Sequence, residues 1–423
     1  MLRVWTMQIG LFVAFYGILN SGSIEAEDRW PQWRGADQSG YAADAELPDQ
    51  WSDESGIRWT SPIPGRGGSS PIWVGDQIYL TSGAEGKNHL LAIKPDGQIA
   101  WTVALGEDRG PKHQKGSGSN PSPVSDGQHI FAYFRSGDLA CVSPQGEVAW
   151  HINLQEKFGE DTLWWDLGTS PVLTDNAVVC AVMQSGPSFL VAFDRKTGRE
   201  LWKQDRVLDA PEEAAHSYST PIVMNWNGQQ LLAVLGADHL TVHRADNGKE
   251  LYRVGGFNPD RQQFWRSIAS PVASGELIIC PYARGDTLTA ISLPRLAAGE
   301  ESIVWQRDDL GSDVPTPAVH DGKLFLVNDG GRVACLDVRD GQTIWEGSLP
   351  KSRVKFSSSP VLTKDRMYVI REDGTAYVLA TDRFEILHEN RLEAEPDIVV
   401  ATPMPFDHAL LIRLPDRLVC AGP

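Results

Sequence analysis

A Ser-Pro or Thr-Pro pair recurs along this chain every 43 to 52 residues, and each pair opens a short apolar run. The first residues of these eight pairs are Ser70, Ser122, Ser170, Thr220, Ser270, Thr316, Ser359 and Thr402. Almost nothing is left between the units, and each unit is long enough for about four strands. Four-stranded units at this period are typical of propeller blades. The spacing therefore predicts an all-β fold, an eight-bladed β-propeller of four-stranded antiparallel blades.

The third unit shows how each blade is encoded. "SPVLTDNAVVCAV" predicts two strands around a turn at Asp175-Asn176, "FLVAFD" predicts the third strand, and Leu201-Trp202 lie in the fourth. Proline is tolerated at the start of a first strand because its missing amide has no ladder partner there. The corresponding fourth strands of other units carry one large aromatic residue each: Trp101, Trp150, Tyr252, Trp305 and Trp345. We expect each of these side chains to pack against the neighbouring blade.

The two ends of the chain are expected to share the eighth blade. About twenty residues follow Thr402, enough for three strands, and "GIRWT" with Trp59 supplies a fourth before the first unit. This closure removes a free sheet edge. The propeller is thus predicted to span residues 57–423, after an N-terminal segment at 27–56. In the seventh unit Leu387-His388 replace the aromatic residue, so its blade contact is predicted to be the weakest.

The first 26 residues are typical of a cleavable signal peptide. Arg3 precedes the apolar stretch Val4–Leu19, and small residues lead to a cleavage site near Ala26. Sixteen residues are short for a bilayer span, although an uncleaved anchor remains an alternative. The mature protein is therefore predicted to be periplasmic or secreted, without membrane insertion after cleavage.

Charge and cysteine spacing restrict the partners and the redox chemistry. The net charge is −17, which disfavours nucleic acid and anionic membranes as general partners. The five cysteines are at least 39 residues apart and lie in separate apolar runs. Equivalent positions of different blades are too distant for a disulfide, so we predict five free thiols.

One stretch resembles a known repeat. "AFDRKTGRELW" is similar to the A-x-D-x-x-T-G-x-x-x-W docking motif of the pyrroloquinoline-quinone (PQQ) propeller family at every fixed position: Ala192, Asp194, Thr197, Gly198 and Trp202. "WPQWRG" at 30–35 resembles a segment of exported PQQ-like repeat proteins. The resemblance implies the eight-bladed architecture. It also implies two functional classes, calcium-dependent PQQ dehydrogenases and cofactor-free scaffolds such as the B lipoprotein of the outer-membrane β-barrel assembly machinery.

Candidate binding residues lie in the loops that join the fourth strand of one blade to the first strand of the next. These loops are expected to surround the mouth of a central funnel, and their aromatic and charged residues suit a planar anionic ligand or an extended peptide. The predicted ligand-binding residues are Lys112, His113, Trp165, Asp166, His216, Tyr218, Trp265, Arg266, Asp313 and Lys355. Three residue types among them have a structural alternative: the tryptophans can pack between blades, the lysines can face solvent, and the histidines can be hydrogen-bonded structural or surface residues.

The sequence leaves two functional interpretations. The first is an exported, non-catalytic and monomeric scaffold that binds an envelope protein or a small ligand at the funnel mouth, without metal, cofactor or catalytic residues. The alternative is a PQQ- and calcium-dependent oxidoreductase of alcohols or sugars. The resemblance implies that such an enzyme needs adjacent cysteines and a Glu-Asn-Asp calcium site. The chain has no adjacent cysteines, and Asn120, Asp166 and Asp313 are the loose candidates for that site.

Overall fold

A computed structural model describes residues 30–43, 45–394 and 398–423. The predicted signal peptide at 1–26 lies outside these residues. The described chain forms eight antiparallel four-stranded sheets arranged around one axis, which confirms the predicted eight-bladed propeller. Among the described residues, no helix has the length and apolarity needed to cross a bilayer.

Seven blades are formed by consecutive strands, and the eighth combines the two ends of the described chain. Their strands are, in blade 1, β2 (Ile72–Val74), β3 (Gln77–Ala84), β4 (Lys87–Ile93) and β5 (Ile99–Glu107); in blade 2, β6 (Val124–Ser125), β7 (Ile130–Tyr133), β8 (Asp138–Val142) and β9 (Val148–Asn153); in blade 3, β10 (Val172–Leu173), β11 (Ala177–Val182), β12 (Phe189–Asp194) and β13 (Glu200–Asp205); in blade 4, β14 (Ile222–Trp226), β15 (Gln229–Gly236), β16 (His239–Arg244) and β17 (Glu250–Val254); in blade 5, β18 (Val272–Ser274), β19 (Leu277–Tyr282), β20 (Thr287–Ser292) and β21 (Ile303–Arg307); in blade 6, β22 (Ala318–His320), β23 (Lys323–Val327), β24 (Arg332–Asp337) and β25 (Thr343–Ser348); in blade 7, β26 (Val361–Leu362), β27 (Arg366–Ile370), β28 (Thr375–Ala380) and β29 (Ile386–Arg391); and in blade 8, β30 (Met404–Phe406), β31 (Ala409–Arg413), β32 (Arg417–Ala421) and β1 (Ile57–Pro62).

Short helices interrupt this pattern at two places. Helix α1 (Leu154–Phe158) follows β9, and helix α2 (Leu293–Ala298) replaces the tight turn between β20 and β21. The second helix accounts for the insertion that lengthens the fifth unit. Single 3-10 turns lie at Glu212–Ala215 and Ala283–Gly285.

The predicted closure of the ring is present. Strand β1 pairs antiparallel with β32, and Trp59 stands opposite Cys420. The sheet order β1-β32-β31-β30 makes β1 the outermost strand of blade 8. The first strand of the ordered propeller thus completes the last blade.

Six tryptophans join successive blades in the same way. Each indole Nε1 donates to a backbone carbonyl in the turn between the third and fourth strands of the following blade, at 2.8 to 3.2 Å. The pairs are Trp59 with Pro95, Trp101 with Pro144, Trp150 with Arg195, Trp202 with Ala245, Trp305 with Val338 and Trp345 with Thr381.

The glycine of the docking motif explains the geometry of these contacts. Gly198 has φ +68°, and a Cβ atom there would come within 2.7 Å of the indole of Trp150 in the preceding blade. Trp202 makes the equivalent contact with Gly248 of the following blade. The glycine of the motif therefore contacts the tryptophan of the preceding blade, and the tryptophan of the motif contacts a glycine of the following blade. Tyr252 instead packs with the cluster that contains Leu293 of α2.

The Ser-Pro and Thr-Pro pairs form a second ring near the axis. The backbone N–H of each Ser or Thr donates to the side-chain hydroxyl of the equivalent residue in the next blade, at 2.8 to 3.3 Å. We call these eight residues the hydroxyl belt: Ser70, Ser122, Ser170, Thr220, Ser270, Thr316, Ser359 and Thr402. Since the first strands contact one another around the axis, the belt holds the blades together at their innermost ends.

The N-terminal segment crosses the axis at the end of the channel opposite the funnel mouth. Its backbone and Gln38 bond to the innermost strands or adjoining residues of blades 1, 2, 4, 6 and 7. Arg34 is 1% exposed, and its guanidinium donates to carbonyls that include those of Ser39 (2.8 Å) and Thr316 (3.1 Å). This segment therefore closes the narrow end of the channel.

The same segment also covers the seventh blade, where the aromatic residue is missing. Trp51 is 4% exposed and packs in a cluster formed by blades 7 and 8. Gln50 lies 3.1 Å from Nδ1 of His388, which stands at the position that tryptophan occupies elsewhere. The predicted weakness of this blade contact stays a prediction, but Trp51 supplies apolar packing that the repeat alone does not reveal.

Candidate functional site

A cavity of about 880 Å³ opens on the axis of the propeller. Its wall consists of the loops between consecutive blades and of turns between second and third strands, such as Asn328–Gly330. All eight members of the hydroxyl belt line it, and Trp33 of the N-terminal segment also reaches its surface. The cavity is therefore a funnel with a wide mouth and a covered floor.

Seven of the ten predicted binding residues lie on the wall of this cavity: His113, Trp165, Asp166, Tyr218, Arg266, Asp313 and Lys355. They come from the loops before blades 2, 3, 4, 5, 6 and 7. They line one cavity because loops at equivalent positions of a ring converge on one end of its axis. Their role in binding a ligand stays a prediction.

Three predicted residues do not line the cavity. The ammonium of Lys112 bonds to Asp161 at 2.6 Å and also donates to the carbonyl of Leu163. His216 is fully buried with its Nε2 2.8 Å from Ser185 Oγ, and burial lowers its pKa. Trp265 packs against the hydrophobic cluster of blades 4 and 5. Loop sequence alone does not show which way a side chain points, so these three positions were not distinguishable from the other seven, and their role in binding stays a prediction.

The charged residues on one side of the mouth are bonded to each other. The Arg266 guanidinium donates two hydrogen bonds to the Asp313 carboxylate, at 2.8 and 3.0 Å. Its Nε lies 3.7 Å from Glu213, and that carboxylate accepts a 2.6 Å hydrogen bond from the indole of Trp165. A planar two-bond contact of this kind fixes both side chains. Trp165 is therefore held by a charge network and has a defined orientation.

Asp329 belongs to the same network, although sequence analysis did not single it out. Its carboxylate accepts a 3.0 Å bond from the backbone N–H of Asp313. Burial raises the pKa of Asp329 to about 6, and the negative charge of Asp313 contributes to this rise. It lies in the turn between β23 and β24, and only the propeller geometry brings that turn to the mouth.

Asp166 stabilises the loop before blade 2. It accepts hydrogen bonds from the backbone N–H groups of Lys112 and His113 at 2.9 to 3.0 Å. Its Oδ1 lies 3.4 Å from Nε of Arg135. This carboxylate is therefore already neutralised and hydrogen-bonded.

Two lysines also line the cavity. The Lys115 ammonium bonds to Glu372 at 2.8 Å. Lys355 is exposed, and its ammonium has no bonded partner within the described residues. The wall therefore carries carboxylates that are paired with Arg266 and Lys115, together with the unpaired ammonium of Lys355 among the described residues.

Three aromatic side chains of the loops before blades 3 and 5 remain exposed, and we call them the aromatic rim: Trp164 (45% exposed), Trp165 (41%) and Phe264 (55%). Of these, Trp165 lines the cavity. The ring centroids of Trp164 and Phe264 lie 6.5 Å apart, and Trp164 meets His216 edge to face at 5.5 Å. Phe264 was not singled out in the sequence, because the sequence does not show that Phe264 and not its neighbour Trp265 is the more exposed of the two.

The wall residues do not fit a PQQ–calcium site. Asp166 and Asp313 are paired with arginines, and Oδ1 of Asn120 accepts a 2.8 Å bond from Ser117. Within the described ranges, no three His, Cys, Asp or Glu side chains are arranged to hold a metal ion. The five cysteines are free and buried in separate strands. The donor set that the dehydrogenases use is therefore not assembled here.

Similarity to known proteins supports the propeller fold. A curated relative from Shewanella oneidensis, outer membrane protein assembly factor BamB, is 23% identical over 294 residues. The match covers 67% of this chain and 66% of the relative, just under two thirds of its length.

Solved structures share the fold at low identity. BamB from Moraxella catarrhalis aligns with a TM-score of 0.61 and 12% identity, covering 86% of this chain and 98% of that one. Quinohemoprotein alcohol dehydrogenase from Comamonas testosteroni aligns with a TM-score of 0.71 and 12% identity, covering 93% and 81%. Both functional classes therefore use this architecture, and the likeness decides the fold alone.

The chain also matches a family model. The model described as outer membrane protein assembly factor BamB matches residues 49–209, 92–262 and 253–405. These overlapping matches cover most of the propeller. The chain therefore belongs to this family of PQQ-like repeat propellers.

Proposed function

We propose that this protein is a non-catalytic scaffold of the bacterial envelope that binds another envelope protein through its aromatic rim. The single observation that carries the proposal is the exposure of Trp164 and Phe264 side by side, next to the exposed Trp165 of the cavity wall. Large aromatic residues that remain in water at one place mark interaction sites, since burying them on a partner gains much of the binding free energy.

The surroundings of the rim favour a protein partner. Trp165 is held by Glu213, and Trp164 packs on His216, so both indoles are ordered before binding. Ordered anchors lose little conformational entropy when a partner arrives. The neighbouring charges of Arg266 and Asp313 already satisfy each other, which leaves apolar area as the main contribution of this side of the mouth.

The proposed biological process is taken from the name of a relative. The Shewanella protein is described as an outer membrane protein assembly factor. We infer that this chain also assists the assembly of outer-membrane proteins, that it acts in the periplasm after cleavage near Ala26, and that it works as a monomer. An oxidoreductase role is disfavoured by the paired carboxylates and the single buried cysteines.

Site-specific photo-cross-linking in cells tests the rim. A photoreactive residue at position 164 or 264 is compared with one at Ile344, which is 47% exposed on the outermost strand of blade 6, away from the mouth. We expect specific cross-links to an envelope protein from the rim positions only. Equal cross-linking from position 344, or none from the rim, contradicts the proposal.

A functional measurement complements the cross-links. The double variant Trp164→Ala/Phe264→Ala should lower the abundance of outer-membrane β-barrel proteins to the level of a deletion strain, while Ile344→Ala should not. Both variants should melt within about 2 °C of the wild type, because exposed side chains contribute little to stability. Normal β-barrel levels with the double variant contradict the proposal.

A further inference from the structure

The hydroxyl belt has hydrogen-bond donors that the protein does not use. A Ser or Thr hydroxyl provides one O–H donor and two acceptor positions. In the belt each hydroxyl accepts a backbone N–H from the preceding unit, yet none of the eight donates to an acceptor among the described residues. All eight side chains line the cavity, and their residues are at most 5% exposed. The floor therefore presents a ring of O–H donors directed at no protein group.

A neighbouring serine shows that this arrangement is specific to the belt. The hydroxyl of Ser358 is buried and donates to the carbonyl of Ile370 at 3.1 Å, and it does not line the cavity. Ser359, the next residue, lines the cavity and has no such acceptor. A group rich in hydrogen-bond acceptors at the floor could therefore accept from the hydroxyls of the belt.

An aromatic surface lies at the same depth. Trp33 lines the cavity, and its Nε1 donates to the hydroxyl oxygen of Thr402 at 3.1 Å. The guanidinium of Arg34 lies 5.6 Å from the Trp33 ring and is itself held by backbone carbonyls. Trp33 is therefore a fixed aromatic group at the closed end of the funnel.

The charges of the wall restrict the class of ligand. Six carboxylates and four Lys or Arg side chains line the cavity. An anion would meet an excess of carboxylates, while a metal ion would find no cluster of ligands among the described residues. A neutral molecule that both donates and accepts hydrogen bonds suits this wall, and the volume of about 880 Å³ is in the range of small-molecule sites.

We propose that the funnel floor binds a neutral saccharide ring. The ring and hydroxyl oxygens of the sugar accept from the belt, its apolar C–H face packs on Trp33, and its own hydroxyl groups donate to carboxylates higher on the wall. This inference is independent of the protein-binding role, because it uses the floor and not the aromatic rim.

Titration calorimetry with purified mature protein tests the proposal. The probes are glucose, N-acetylglucosamine and maltose, with inorganic phosphate as an anionic comparison. We expect at least one saccharide to bind and phosphate not to bind. Trp33→Ala should weaken saccharide binding roughly tenfold, and Ser359→Ala should weaken it several-fold, because each removes a direct contact. Ser358→Ala should leave it unchanged.

The matched serines keep the test decisive if Trp33→Ala unfolds. Ser358→Ala and Ser359→Ala each remove one buried hydroxyl from adjacent positions, and only the second removes a donor to the cavity. Loss of affinity in both variants to the same degree, binding of phosphate instead of sugar, or no binding of any saccharide in the panel would overturn the proposal. Trp164→Ala, at the rim, should not change saccharide affinity.

Discussion

The backbone N–H of Thr402 donates a 2.9 Å hydrogen bond to Oγ of Ser70, 332 residues earlier in the chain. The other seven bonds of the hydroxyl belt join units that follow each other in sequence, and this one joins the last unit to the first. Together with the pairing of β1 and β32, it closes the ring at both its inner and its outer edge.

Removing this hydroxyl should therefore destabilise the ring as much as removing one elsewhere in the belt. Ser70→Ala leaves the N–H of Thr402 without its buried acceptor, which costs about 1–3 kcal/mol. Ser122→Ala removes the equivalent acceptor from the N–H of Ser70 and should cost a similar amount. Urea unfolding of both variants measures this. A normal unfolding midpoint for Ser70→Ala alone would show that the two ends are not joined through the belt.

The docking glycines provide a second prediction. Gly198 and Gly228 have similar backbones, with φ of +68° and +73°, but only Gly198 has an indole, that of Trp150, where a Cβ atom would be. Gly228→Ala should cost about 1 kcal/mol for the left-handed backbone alone. Gly198→Ala should cost about 1–3 kcal/mol more, because the added methyl displaces Trp150. Equal thermal shifts for the two variants would show that the indole contact carries no stability.

Much of the fold was predictable because each blade repeats the same signals. The Ser-Pro pairs, the turn glycines and the fourth-strand tryptophans recur at one period, so the number of blades and the closure by Trp59 follow from counting. The path of the N-terminal segment does not repeat. Arg34 meets Thr316 and Gln38 meets Pro221 across more than 180 residues, and no local pattern indicates these contacts.

The candidate site was predictable only to the level of loops. Loops before consecutive blades converge on one end of the axis, and Arg266 and Lys355 from two of these loops both line the cavity. The direction of individual side chains depends on packing with other blades, so the burial of His216 and the packing of Trp265 against the cluster of blades 4 and 5 were not visible in the sequence. Asp329 was missed because it comes from a turn within a blade and not from a loop between blades.

The raised pKa of Asp329 predicts a pH-dependent effect on stability. The pKa of Asp329 in the folded state, about 6, lies above its unfolded value of 3.8. Between these two pH values the folded state binds more protons than the unfolded state. The free energy of unfolding therefore falls as the pH rises from about 4 to 6. Asp329→Asn removes the charge beside Asp313 and keeps an acceptor oxygen. It should stabilise the protein by about 1 kcal/mol at pH 7.5 after solvent screening, and by much less at pH 4.5.

Thermal melts at the two pH values test this prediction. Asp76→Asn, at an exposed turn of blade 1, serves as the control and should have no effect at either pH. A stabilisation by Asp329→Asn that is the same at pH 4.5 and 7.5 would show that the charge of this carboxylate is not its cause.

The five cysteines should react with thiol reagents only when the protein unfolds. All five are free and buried, and burial raises the pKa of Cys141, Cys335 and Cys420 to about 12. The reactive thiolate is therefore scarce and inaccessible at pH 8. Titration of the native protein should detect no fast thiol, and titration after unreduced denaturation should count five. A count of three after denaturation would reveal a disulfide and contradict the assignment.

Finally, PQQ with calcium should not stabilise the protein. A ligand at 100 times its dissociation constant stabilises the folded state by about 2.7 kcal/mol, so genuine cofactor binding would raise the melting temperature measurably. Here Asp313 is engaged by Arg266 and Asp166 by Arg135, and calcium would have to break these pairs. We expect a melting shift below about 1 °C with both added, and no reduction of an artificial electron acceptor with alcohols or sugars. A melting shift or a dye-reducing activity that disappears with a chelator would favour the oxidoreductase over the scaffold. Such a result would require Asp313 and Asp166 to leave their arginines and bind calcium.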